Sequence, residues 1–591
     1  MEALVWLIAG IAAIAASTVL ARWLGVAGPL ILVAIGIVAS LFLPKISVPA
    51  ELILVGILPP LLYSAAVRLP AVEFRRDALP ITGLAVLLVV ITSLALGTLF
   101  FFAIPGLGFP LAVALGAILS PTDAVATGIA KRLGIAPRVI TMLEGESLLN
   151  DATALVLLRS TVAAAALGFS FWGTVGQFVW GVIVAIAIGA VVGLLLLRLR
   201  RWITDPAANT AVSFIVPFVA YLPTEHLGGS GLVAAVAAGI VTSQGATRWL
   251  TPEQRLSDQV NWRTVELLLE GAVFLIMGLE LRDIVSTNAT DHFGLGRPLA
   301  LALAAIGIVL AVRTLYVSGL VALLSRRARN QQRERLEAIS ERIDEIEATG
   351  TLRVREHEGG ARAQRRARRA TMADTPLDSE RRERRMAGFR RRVARGMNDL
   401  DYYQASPIGW KHGAIIVWAG MRGVVTLAAA QTITVEDTPQ RDLLVLIAFL
   451  VALISLLVQG LTLPVLIRWL KIPASVDDSA AAAAERARLE DELHEAARAR
   501  LEAGDIAKAD GTPFDPDLLR AIGERLTAPP PESRELTMAD MRTLRIRMIE
   551  VQRQRLVELT RTGSYSTEAL REELAQLDAE QISLQLRNDE E

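Results

Sequence analysis

Apolar residues fall into windows long enough to cross a bilayer, which takes about 17 to 25 helical residues, with charges and turn residues between them. Thirteen such windows run at 3–21, 28–43, 51–67, 79–104, 109–130, 140–166, 174–197, 208–223, 230–244, 264–281, 298–324, 408–433 and 442–470. In lipid every backbone N–H and C=O needs an internal partner, so each window is read as a helix. The pattern predicts an all-α polytopic membrane protein of about thirteen transmembrane helices. Two polar stretches interrupt it. The expected organisation is transmembrane helices 1–11 within 1–325, an Arg-rich cytoplasmic insertion at 326–405, transmembrane helices 12 and 13 within 406–472, and a cytoplasmic helical region from 473 to 591. In that last region, the segment from about 537 reads as two amphipathic helices joined at Gly563, with Ser566 as a candidate cap.

Composition changes this picture little, but charge orients it. Of 591 residues 53% are hydrophobic, and 60 basic residues balance 60 acidic ones, an average that conceals a very apolar first part. Cysteine is absent, which excludes disulfides and thiolate metal sites. No basic residue precedes the first apolar run and the first arginine is Arg22, so the start reads as a retained span rather than a signal peptide. Lysine and arginine gather in cytoplasmic loops. With the N-terminus outside, the inner loops between spans hold thirteen basic residues (Arg22, Arg68, Arg75, Arg76, Lys131, Arg132, Arg138, Arg198, Arg200, Arg201, Arg248, Arg255 and Arg263). The outer loops hold four, Lys45, Arg282, Arg297 and Arg441. The expected setting is therefore a cell membrane crossed many times, N-terminus outside and C-terminus cytoplasmic. The arginines of 326–405 then face the cytoplasmic leaflet, where anionic lipid or plain disorder accounts for them better than nucleic acid does, and no nucleic-acid partner is expected.

Charges also occur where lipid should forbid them. Asp151 lies eleven residues past Ile140, roughly 16 Å into a hydrocarbon core about 30 Å thick. Asp123, Arg313 and Arg422 sit at comparable depth on three other spans. Intramembrane charges usually face a protein interior or water and mark a pathway. In the stretch GESLLNDATALVLL, residues 145–158, Glu146, Ser147, Asn150 and Asp151 fall within a helical arc of roughly 140° and form a strip of oxygen ligands. Span five contains ILSPTDAV, in which Pro121 deprives the Ala117 carbonyl of its helical donor just before Thr122 and Asp123. A freed carbonyl, a hydroxyl and two carboxylates make an oxygen cage suited to a hard cation. Span twelve contains WAGMRGVVTL, where Gly420 and Gly423 flank Arg422 and weaken the helix similarly. Two broken helices crossing at the midplane, seven spans apart and oppositely directed, are what an inverted repeat of spans one to six and eight to thirteen produces.

GESLLNDATALVLL, SPTDAVAT, GILPPLLY (56–63), LLEGAVFLIMGLEL (268–281) and GMRGVVTLAAA (420–430) together resemble the monovalent cation–proton antiporters, in the branch holding bacterial and animal Na+/H+ exchangers. The likeness spans roughly 1–325 and 406–472. It implies a six-helix core moving against a dimerisation domain, electroneutral exchange of Na+ or Li+ for H+, and a homodimer in a lipid membrane. It also implies cation and proton binding at Asp151, with Asp123, Glu146, Ser147, Thr122 and Asn150 around it and support from Arg422 and Arg313.

The residues suggest a mechanism that agrees. Desolvation disfavours a bare carboxylate, so Asp151 should hold either a proton or a dehydrated Na+, and competition for one group couples the two ions. The cation site is expected at Asp151, Glu146, Ser147 and Thr122, with no cofactor and no enzymatic reaction. Asn150 supplies polar atoms without a second charge. Asp123, Glu146 and Asp151 set against Arg313 and Arg422 leave one negative charge for one cation, unless Glu270 also joins the core. Blander readings stand beside these: Asp123 orienting the broken helix, Glu146 paired with an arginine, Arg313 and Arg422 as internal counter-charges, Glu270 as a salt-bridge or gate residue, and Arg159 snorkelling outward. Two other classes fit some of the same residues. One is an intramembrane aspartyl protease using Asp123 and Asp151, the other a cation channel. Selectivity among Na+, K+ and Li+ is not readable from spacing.

Overall fold

The computed structural model describes residues 2–43, 48–167, 171–290, 296–327, 399, 402–403, 408–434, 438–471, 476–503, 506, 514 and 538–589. Most of the 326–405 insertion lies outside them. Every regular element among the described residues is helical. In chain order these are α1 (Glu2–Leu24), α2 (Gly28–Phe42), α3 (Leu58–Arg68, entered through a π-helical stretch at Leu52–Ile57), α4 (Ala71–Arg76), α5 (Ala78–Thr82), α6 (Leu88–Ala103), α7 (Phe109–Leu119), α8 (Val125–Arg132), α9 (Pro137–Leu167) and α10 (Phe171–Arg200). They continue as α11 (Pro206–His226), α12 (Gly231–Trp249), α13 (Pro252–Thr290), α14 (Gly296–Arg327), α15 (Trp410–Trp418), α16 (Val424–Gln431), α17 (Arg441–Trp469), α18 (Val476–Glu502), α19 (Met538–Thr562) and α20 (Thr567–Asp589).

Each of the thirteen windows coincides with a helix or a broken pair of helices. Among the described residues, seven helices are by themselves long and apolar enough to cross a membrane. Windows 208–223 and 230–244 are shorter than their helices, since α11 and α12 extend the apolar stretches with polar ends. Starts follow local chemistry. Prolines open α9, α11 and α13, where the missing N–H would have had no helical partner. Asp205 caps α11 by accepting from the Ala208 N–H at 2.6 Å.

Packing sorts the helices into two groups. α2 lies along α13, and α12 joins α3, α10 and α11. In the second group α7 packs on α6 and α9, while α14 packs on α6 and α17. α4, which the hydropathy pattern did not reveal, lies in the link between them. Basic residues divide by end. Arg282 bonds the carbonyl of Ser40 and Arg297 that of Ala103 at one end. At the other end Arg68 pairs with Glu266 and Arg138 with Asp77, beside the C-terminal helices.

Candidate ion-binding site

Spans five and twelve are each two half-helices, α7 with α8 and α15 with α16, broken over 120–124 and 419–423. Pro121 accounts for the first break. The Asp123 N–H, deprived of a helical partner in its own span, donates to the Met421 carbonyl at 2.8 Å. The Leu119 carbonyl in return accepts from Arg422 Nε at 3.0 Å. The carbonyl expected to be free is not: Ala117 accepts from the Ser120 N–H at 3.3 Å, and it is Leu119 and Thr122 whose carbonyls turn aside, the latter to Ser147 Oγ at 3.0 Å.

The charged pair at the crossing follows the helix dipoles. Asp123 Oδ1 accepts from the Val125 N–H at 2.9 Å at the start of α8. Its Oδ2 lies against Gly423, the residue before α16, where an added Cβ would come within 1.5 Å of it. Asp123 therefore stands at two positive N-termini. Arg422 stands at the two negative C-termini, donating to the carbonyls of Leu119 at the end of α7 and Gly420 just past α15. The glycines are thus needed for close approach as well as for a weak helix, since a Cβ on Gly420 would meet Arg313 Nε at 2.6 Å.

The oxygen strip on α9 divides in two. Glu146, 1% exposed, is held by both terminal guanidinium nitrogens of Arg313, one of them at 2.8 Å from Oε2. Arg313 Nε also donates to the Ile416 carbonyl at 2.9 Å. Asn150 Nδ2 donates to Thr122 Oγ1 at 2.7 Å. Asp151, 7% exposed, has neither a hydrogen bond nor an ion pair among the described residues. Thr122, Asp123, Ser147, Asp151 and Glu270 line one cavity of about 1700 Å³, whereas Glu146 and Asn150 stand behind its wall. Glu146 thus meets Arg313 through both oxygens, with Thr122 Oγ1 at 3.5 Å from Oε1, and is not among the residues lining the cavity. Arg159 is exposed, as a snorkelling side chain would be, and pairs with Glu225 of α11.

From Asp151 the cavity runs to the basic end, past Glu266, Arg68 and Glu73 to Thr567, Arg571 and Asp578 of α20. At the opposite end Glu280 accepts from Gln431 Nε2 at 2.8 Å and the Val48 N–H at 3.3 Å. The end of the insertion is tied beside the mouth. Tyr402 donates to Asp77 Oδ2 at 3.2 Å, and Tyr403 to the Arg76 carbonyl at 2.6 Å. Burial, with the Asp77 carboxylate alongside, pushes the Tyr402 hydroxyl well above its ordinary pKa, so it remains a donor. Spacing gave no hint of this contact, of Glu280, or of Thr426, a polar residue in the apolar α16 that also lines the cavity.

The sequence profile of the family described as "Sodium/hydrogen exchanger, transmembrane" matches residues 9–343 and 393–469. The chain belongs to that family. It is a multi-pass membrane protein, and its activity is exchange of a cation for H+. An uncharacterized Na(+)/H(+) exchanger of Mycobacterium tuberculosis is 28% identical over 98% of this chain and 96% of its own length. The sodium, potassium, lithium and rubidium/H(+) antiporter of Bacillus subtilis is 33% identical over 44% of this chain and 41% of its own. In fold the chain is similar to the sodium proton antiporter MjNhaP1 from Methanocaldococcus jannaschii at pH 8, with a TM-score of 0.54 and 15% identity, covering 80% of this chain and 100% of that one. Neither the protease nor the channel alternative finds support in these likenesses.

Proposed function

We propose that Asp151 is the carboxylate for which one monovalent cation and one proton compete, and that alternating access of this site to the two membrane faces makes the exchange one-for-one. The observation that carries the reading is the contrast on α9: Glu146 is neutralised by Arg313, while Asp151 faces the cavity without a counter-charge among the described residues. A buried carboxylate in that position must take up a cation or a proton. Ser147 and Thr122 supply neutral oxygens beside it. Asp123 stabilises the half-helix N-termini at the rim, and Arg422 the C-termini. Glu270 sits on the route from the basic end, and Asn150 holds Thr122 in place. The cation is Na+, with Li+ or K+ accepted according to the size of the cage; the relatives' names themselves differ on this point, Na+ alone for one and four alkali cations for another.

The wider reading follows from the same chemistry. The chain works without a cofactor and without catalysing a covalent reaction, as a homodimer in the cell membrane, serving pH homeostasis. Residues 1–325 and 406–472 lie in the membrane with the N-terminus outside, and the insertion at 326–405 and the region 473–591 are cytoplasmic. The charge asymmetry and the side on which α20 packs support that orientation.

Purified protein in vesicles under an imposed pH gradient tests the central claim. Addition of Na+, Li+ or K+ should move protons with the native chain and not with Asp151→Asn. Cation-dependent proton movement that survives the substitution would remove Asp151 from the centre of the site.

A further inference from the structure

We propose that the Thr426 hydroxyl is an additional ligand of the transported cation, supplied by the second broken helix. This rests on Asp151 being the ion-binding carboxylate. Thr426 is 1% exposed, lines the cavity with Thr122, Asp123, Ser147 and Asp151, and its Oγ1 has no hydrogen-bond partner among the described residues. That is unusual for a threonine on these helices. Thr98, Thr153, Thr161 and Thr242 each donate to the carbonyl four residues earlier, at 2.8 to 2.9 Å. The corresponding carbonyl for Thr426 belongs to Arg422, inside the break, and it is not in place to accept. The break thus strips Thr426 of its ordinary acceptor and leaves a buried hydroxyl that costs free energy until something pairs with it.

The neighbouring hydroxyls are already engaged. Thr122 Oγ1 accepts from Asn150, and Ser147 Oγ donates to the Thr122 carbonyl. Thr426 keeps both lone pairs and its proton uncommitted. It lies three residues beyond Gly423, whose Cα abuts the Asp123 carboxylate, so α16 and not α9 brings it to the cavity. A neutral oxygen there suits a dehydrated alkali cation. Thr426 is accordingly a specificity-determining residue for the cation.

The test compares Thr426→Val, of the same shape but without lone pairs, with Thr426→Ser in full-length protein in vesicles. Half-saturating concentrations are measured for Na+, Li+ and K+ at fixed pH. The valine variant should need about tenfold more cation, the loss of one good ligand bond, with altered ratios among the three cations. Serine should restore near-native values. If the valine variant does not accumulate, Thr426→Ala gives the same readout. Unchanged half-saturation and ratios in the valine or alanine variant would overturn the proposal, as would a serine variant as impaired as the valine one, which would assign the effect to packing of the methyl group. Asp151→Asn is run alongside. Exchange surviving there defeats the reading of Asp151, while a raised half-saturation in Thr426→Val would still place the cation against α16.

Discussion

Glu146 and Asp151 are five residues apart on one helix and have opposite fates. The sequence placed both at membrane depth beside Ser147 and Asn150, and helical geometry made them one strip. What it could not show was that Arg313, 167 residues away, takes both oxygens of Glu146. Helical spacing sees neighbours within a turn or two; a pair closed by packing of separate helices leaves no periodic trace. Breaking such a pair from one side strands a buried charge, which costs about 3 to 5 kcal/mol, whereas replacing both partners by neutral residues of similar size is far milder. Arg313→Met should therefore lower thermal stability in detergent much more than Arg313→Met combined with Glu146→Gln. Comparable melting temperatures for the single and double variants would mean the pair is not what holds α14 to α9.

At the scale of elements, the two breaks were legible and their chemistry was only half so. Pro121 and the glycines around Arg422 announced interrupted helices because each removes a specific part of helical stability. The exchange of hydrogen bonds between the breaks was not legible, because the Asp123 N–H to Met421 and the Arg422 side chain to Leu119 are long-range contacts to backbone carbonyls. The crossing leaves so little room that Gly423 tolerates no Cβ. Gly423→Ala should displace either α16 or the Asp123 carboxylate and lower the exchange rate by more than tenfold, the scale of effect that a displacement of about 1 Å has on a positioned group. Gly128→Ala is the control within the same broken span. A Cβ there meets nothing within 4 Å, and a helix gains about 1 kcal/mol from the change. Transport rates and melting temperatures of the two variants decide the matter, and equal behaviour would show the crossing to be looser than its geometry.

At the scale of the molecule, the C-terminal helices form part of the cavity's mouth. Gly563 and Ser566 marked the turn between α19 and α20 in the sequence, and Ser566 Oγ does accept from the Ala569 N–H at 3.3 Å. The docking surface was hidden, since an amphipathic helix shows that one face is covered without saying by what. Here Glu73 of α4, 7% exposed, accepts from the Thr567 N–H at 2.7 Å and from its hydroxyl. Arg76 donates to the Gly563 carbonyl at 2.5 Å, Arg571 to the Arg68 carbonyl at 2.7 Å, and Arg255 pairs with Asp578. All of these are residues at the cavity mouth or partners facing them. α4 lies in the link between the two helix groups, so α20 is fastened where any movement of one group against the other must be absorbed. Glu73→Ala leaves two buried donors of Thr567 unpaired, weakening the dock by about 1 to 3 kcal/mol. Amide hydrogen exchange at the start of α20 should then speed up by roughly ten- to hundredfold, as that free energy implies for local opening, while α7 and α9 stay protected. Unchanged exchange at 567–575 would mean that the remaining contacts of Arg255 and Arg571 hold the tail without Glu73.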